Sequence, residues 1–266
     1  MKKFDALQRL GRHKEAQECI KECYTLWAMN HMRNPGSMKA ALALIQSCIH
    51  NKEYEDAEHY ARHAYFMIAE MTDNFIPSDQ QPRFLADVSH WLAISIHRLA
   101  RAGGIPPERK QKAGEEAIAL ARKALEIYTQ LCGTESAEIA VSMGTLANVL
   151  DYFNNVDDDE ILRLFEQAIA IYRRVEGSLS YNVAVHEGKL GNAYVSRANR
   201  ARDANDLDRE SANYELVLPH FREAARIFRV INHMDDADQA LRNVAIVEKQ
   251  MLRNRITRAA AEATKG

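Results

Sequence analysis

A single helical phrase recurs five times in this chain, and no other feature limits its fold as strongly. It reads Ala124-Leu-Glu-Ile-Tyr-Thr-Gln-Leu-Cys-Gly133, then Ala168-Ile-Ala-Ile-Tyr-Arg-Arg-Val-Glu-Gly177, then Ala224-Ala-Arg-Ile-Phe-Arg-Val-Ile231. Weaker copies stand at Cys23-Tyr-Thr-Leu-Trp27 and Ala64-Tyr-Phe-Met-Ile68. A helix that cannot bury its apolar face alone must stack on its copies, so the phrase demands a repeat array.

Aligned on Cys23, Ala64, Ala124, Ala168 and Ala224, the copies keep one face. Seven residues before the anchor stand Ala16, Ala57, Ala117, Ile161 and Val217. Three before it stand Ile20, Ala61, Ala121, Phe165 and Phe221. Three after it come Leu26, Met67, Ile127, Ile171 and Ile227, and four after it Trp27, Ile68, Tyr128, Tyr172 and Phe228. Offsets of three, four and seven lie on one side of an α-helix. Small anchors admit a neighbouring helix, and the larger residues, Tyr128, Tyr172, Phe165 and Phe221 among them, are expected in the core. The anchors are 41, 60, 44 and 56 residues apart, so two intervals carry roughly 15–19 extra residues, as insertions at the loops or helix tips of an array do. One insertion falls near 101–114, at Arg101-Ala-Gly-Gly-Ile-Pro-Pro107. The other falls near 198–212, where Arg200-Ala-Arg-Asp-Ala-Asn-Asp-Leu-Asp-Arg209 has no Gly or Pro and is expected to lengthen two helices.

A second helix type alternates with the first. Its copies include Trp91-Leu-Ala-Ile-Ser-Ile96, Thr145-Leu-Ala-Asn-Val-Leu150, Lys189-Leu-Gly-Asn-Ala-Tyr194 and Asn243-Val-Ala-Ile-Val247, with a degenerate one at Ala41–Cys48. Each clear copy sets a small residue (Ala93, Ala147, Gly191 or Ala245) after a large apolar one, which permits close helix contact. Gly133 and Gly177 end two anchor helices at the same offset, where a left-handed cap is expected. Asn34-Pro35-Gly36 and Ile76-Pro77 separate earlier elements, and Pro82 suits a helix first turn. Pro219 predicts a kink or a helix that begins only after it. No run alternates β-branched residues, so no sheet is expected.

These residues resemble the tetratricopeptide repeat. Leu190-Gly191-Asn192-Ala193-Tyr194 matches the first helix of that motif, and Ala57/Ala61/Ala64, Ala117/Ala121/Ala124 and Phe221/Ala224 match the second. The long period and the Leu-Ala-Asn wording look like the kinesin-light-chain subtype, although the Pro between repeats is mostly missing and no heptad coiled coil precedes them. The resemblance implies an all-α, right-handed superhelix (α-solenoid) of about five antiparallel helix pairs with a C-terminal capping helix. Residues 1–33 then form a partial repeat or cap, 34–234 the repeats with their two insertions, and 235–266 the capping helix and tail.

The resemblance also implies a function. First helices of the family line a concave groove that holds a peptide segment of a partner protein. Carried over, Lys39, His90, His97, Arg98, Asn148, Tyr152, Asn192, Arg242 and Lys249 line it, with Asp87 among their neighbours. Asn148 and Asn192 stand at equivalent positions where the family uses an amide to hold a peptide main chain. His90, His97 and Arg98, with Lys39, form a candidate receptor for acidic groups. The expected role is a non-catalytic scaffold or adaptor. The alternative is a helical ligand-sensing regulator or enzyme built on the His90/His97 region.

Other chemistry is weaker. His59 and His63 are spaced for a metal but lack zinc-protease wording, and Asp157-Asp-Asp-Glu160 reads better as charge at a helix start. Cys19 and Cys23 lie one turn apart without histidines at zinc-finger spacing, so no metal and no cofactor is expected. A net charge of −2, with Arg253, Arg255 and Arg258 ending the last helix, argues against nucleic acid as partner. No apolar run is long enough for membrane insertion. Four cysteines without a disulfide framework point to a reducing compartment, cytoplasmic or nuclear.

Overall fold

The computed structural model describes residues 2–29, 35–69, 77–153 and 158–263. They are all-α, and among them there is no strand. They fall into two compact units, Met1–Gly133 and Thr134–Gly266. The breaks expected at Asn34 and Ile76 and the acidic run at Asp157 begin outside the described residues, and the side chain of Trp27 is also outside them.

The first unit contains α1 (Lys2–Arg9), α2 (His13–Met29), α3 (Pro35–His50), α4 (Tyr54–Ala69), α5 (Gln81–Arg101) and α6 (Pro107–Cys132). Each consecutive pair packs together, and α5 also touches α3. Pro82 stands in the first turn of α5 and Pro107 in that of α6, where the missing N–H leaves no intrahelical bond unmade. The glycine- and proline-rich insertion therefore becomes a short turn between two long helices. Ala57, Ala61, Ala64, Ala117, Ala121 and Ala124 are all buried, as their spacing requires.

The second unit contains α7 (Ala137–Phe153), α8 (Asp158–Val175), α9 (Tyr181–Asp203), α10 (Leu207–Val230) and α11 (Met234–Ala263). Here too successive helices pack, with a smaller contact between α7 and α9. Tyr172, Phe165, Phe221 and Leu190 are fully buried, and Tyr128 is buried in the first unit. Gly177 (φ 90°) and Gly133 (φ 72°) take the positive-φ conformation expected after anchor helices. Asn205 and Asn232 do the same after α9 and α10, an Asn being the non-glycine residue that tolerates it best.

Three expectations change. The helix does not begin after Pro219: α10 runs through it from an Asp206 N-cap, whose side chain accepts from the Arg209 N–H. The buried face held by Ala16 and Ile20 passes through Tyr24 rather than the anchor itself: Cys23 is half-buried and Leu26 is 58% exposed. Ala245 is exposed, because α11 turns only its other side, through Ala237, Ala240, Val244 and Val247, toward α10.

Candidate functional site

The nine residues carried onto the groove have different fates. In the first unit Lys39 and Arg98 are exposed, but His90 and His97 are only 5% and 7% exposed. The reason is coverage: α5 packs against α3, α4 and α6 at once, which leaves it little free surface. The two imidazoles are thus enclosed by the fold rather than offered to a ligand. Asp87 accepts a hydrogen bond from Tyr128 Oη, and the Arg83 guanidinium lies 5.3 Å from the centre of that tyrosine ring. His63 is bonded to Tyr24 Oη. Among the described residues no three His, Cys, Asp or Glu side chains come together to hold a metal ion.

In the second unit Asn148 and Tyr152 are half-buried on α7, Asn192 is exposed on α9, and Arg242 and Lys249 are exposed on α11. The two equivalent asparagines differ. Asn148 donates to the Gly144 carbonyl of its own helix at 2.6 Å, whereas Asn192 has no hydrogen-bond partner among the described residues. Arg242 donates to Gln239 at 2.8 Å.

Asn192 borders a cleft of about 240 Å³ between α9 and α11. Its apolar lining is Val195, Phe221, Ile246 and Val247: Phe221 and Val247 belong to the core cluster beneath, and Ile246 stands at the exposed edge. Its rim carries four amides, Asn192 and Asn199 on α9 and Asn243 and Gln250 on α11. Each pair is seven residues apart, two helical turns, which puts both members on one face. That spacing was legible in the sequence, although only Asn192 stood out there, by its match to the repeat motif.

The end of the cleft comes from the α9–α10 hairpin. The two long helices, packed side by side, bring Asn199 and Arg202 to Tyr214. Arg202 Nη2 donates to Asn199 Oδ1 and, at 3.2 Å, to Tyr214 Oη. Tyr214 Oη donates to Asn199 Oδ1 at 3.3 Å. Burial raises the Tyr214 phenol above its usual pKa, which keeps this donor protonated. The Arg202 Nε lies 3.4 Å from the carboxylate of Glu210, whose side chain is 1% exposed. On the α8 side, α9 is pinned by a second buried acid. Glu187 accepts from Arg173 at 2.7 Å and from His220 at 2.8 Å, and the His220 ring stacks on Tyr194.

Residues 108–138 and 139–178 match the tetratricopeptide repeat family model, and the second match covers α7 and α8. Among solved structures the chain is similar to BtubC (BKLC) from P. vanneervenii, at 17% identity and a TM-score of 0.50 over 92% of each chain. It is also similar to the nearly identical TPR-like repeats assigned to a kinesin light chain of Podosopora anserina. Two structures of these match at 17% and 16% identity, each with a TM-score of 0.51 over 84% of this chain and 100% of that one. The chain carries tetratricopeptide repeats over residues 108–178. Its repeats resemble the kinesin-light-chain type, and at these identities the structural likeness speaks for the fold alone. No curated protein matches it in sequence. The match over 139–178 makes α7 the first helix of a repeat and α8 the second. The cleft lies between α9 and α11, floored in part by Phe221 of α10. No described helix is long and apolar enough to cross a membrane.

Proposed function

We propose that this repeat protein is a non-catalytic interaction scaffold whose second unit takes an extended segment of a partner protein into the α9–α11 cleft. One observation carries the reading: an apolar floor bordered by amides on both sides. An extended chain must satisfy its own N–H and C=O groups while burying side chains, and amides serve both polarities. Among the described residues the hydrogen bonds of Asn199 and Asn243 use only their oxygens, which leaves the Nδ2 donors available. Paired amides two turns apart span about 10 Å, the length of about three extended residues.

The same reading places the protein in the cytoplasm or nucleus, with four free cysteines in support. Its partners are proteins rather than nucleic acid or the membrane interior. Residues 1–33 form a partial repeat or cap and 235–266 a capping helix and tail. Ile246 is the side chain to test, because it lines the cleft yet is 59% exposed, so a charge there spares the core. Linear peptides selected on the wild-type protein should lose binding to Ile246→Glu and Asn243→Ala, while both variants keep the parent melting temperature. Peptides that bind both variants at full strength would rule out the cleft.

A further inference from the structure

The extended α9–α10 tip gives the cleft a wall whose charge is cancelled from within. Arg202 is the cleft's one charged lining residue among the described residues, and its side chain is 42% exposed. A lone guanidinium in that position would draw a carboxylate. Here the position is already filled. Glu210 lies behind Arg202 at 3.4 Å, 1% exposed, with neither carboxylate oxygen hydrogen-bonded among the described residues. Its charge is held out of water, so it is screened little and acts on Arg202 at full effect. Asn199 and Tyr214 take up the Nη2 donor on the cleft side. The remaining rim groups, Asn192, Asn243 and Gln250, are neutral.

Resting on the peptide-cleft reading above, we infer that the α9–α11 cleft selects an uncharged segment, apolar where it meets Phe221 and Val247, and rejects acidic ones. A carboxylate placed against this wall would meet Arg202 and the buried Glu210 together and would gain no net attraction for its desolvation. An apolar side chain loses nothing on entry and covers the exposed edge of the floor. The inserted hairpin is therefore the specificity element, because Asn199, Arg202, Glu210 and Tyr214 all stand on its two helices.

The test uses a display library of random linear peptides, selected on the full chain and sequenced after subtraction on Ile246→Glu. The selected pool is expected to be depleted in Asp and Glu relative to the library. Its binding should change less than about twofold between 0.1 M and 1 M salt, where exposed charge pairs are screened. Selection on Glu210→Gln, which uncovers the Arg202 charge while keeping the side-chain shape, should enrich Asp and Glu and yield binders that weaken about tenfold over the same salt range. If the wild-type pool depends on the cleft but is acidic and salt-sensitive, the inference fails and the cleft reading stands. If no selected peptide depends on Ile246, the cleft reading itself fails. Should Glu210→Gln not fold, the composition and salt response of the wild-type pool decide alone.

Discussion

A Cβ added to Gly191 would sit 2.7 Å from Cε1 of Phe221, so the phenyl ring packs directly on the bare backbone of α9. Three residues earlier, Gly188 has open space at the same position. The two glycines share a helix and differ only in what faces them. Alanine in place of a helix-interior glycine gains about 1 kcal/mol of helix propensity. At position 188 that gain should appear in full, as a higher denaturation midpoint. At position 191 it meets an overpacking penalty of about 1–3 kcal/mol, because Phe221 is 2% exposed and has no free direction to move. Gly191→Ala should therefore lower stability by about 1 kcal/mol net, measured by urea unfolding beside Gly188→Ala.

His186 makes the stability of the second unit depend on acid. Its ring is 4% exposed and lies against Gly144 and Tyr172, with Nδ1 bonded to the Asn182 carbonyl at 2.8 Å. Burial, reinforced by the charge of Lys189, pushes its pKa from 6.5 down to about 3. The folded state thus holds the neutral form. Stability is fully present above the unfolded value of 6.5 and is lost as pH falls below it, until the folded group also protonates near 3. At pH 5.5 the loss should be about 1.4 kcal/mol, on the scale of 1.36 kcal/mol per unit. Urea titrations between pH 7.5 and 5 should show this slope in the parent and a shallower one in His186→Leu.

The hydroxyl of Tyr172 is buried with no hydrogen-bond partner among the described residues. Its ring belongs to the core, but its oxygen has left water without replacement, and burial raises its pKa well above the usual phenol range. Tyr172→Phe keeps the ring and removes the stranded group. Stability should be unchanged or rise by about 1 kcal/mol, whereas Tyr172→Ala should lose about 3–5 kcal/mol. Calorimetry of the two variants separates packing from polarity.

Asp206 caps the lengthened α10 by accepting from the Arg209 N–H at 2.9 Å. Asp206→Ala should cost about 1 kcal/mol. The loss falls on the hairpin tip that carries Arg202 and Glu210, so faster amide exchange should be confined to the first turns of α10.

Much of this molecule could be read from periodicity. Small anchors such as Ala124 and Ala168, large partners such as Phe165 and Tyr172, and the glycine caps at 133 and 177 are buried or turned as the helical spacing required. Spacings of three and four depend only on the geometry of one helix, which the chain carries locally. The mostly helical course of residues 200–209 was also legible, because the stretch lacks Gly and Pro.

The candidate site was legible only in part, because it depends on what covers each face. Asn148 and Asn192 align in the sequence, yet one spends its donor on its own helix and the other borders a cleft. His90 and His97 look like surface bases in sequence, but α5 is flanked by three helices. Asn199, Arg202 and Tyr214 meet only because the lengthened α9 and α10 pack side by side. The sequence by itself determined the helices and their apolar faces, since both follow from the local period. Tertiary structure decided which polar residues stay exposed and which charge Arg202 faces, since both are set by neighbours distant in the chain.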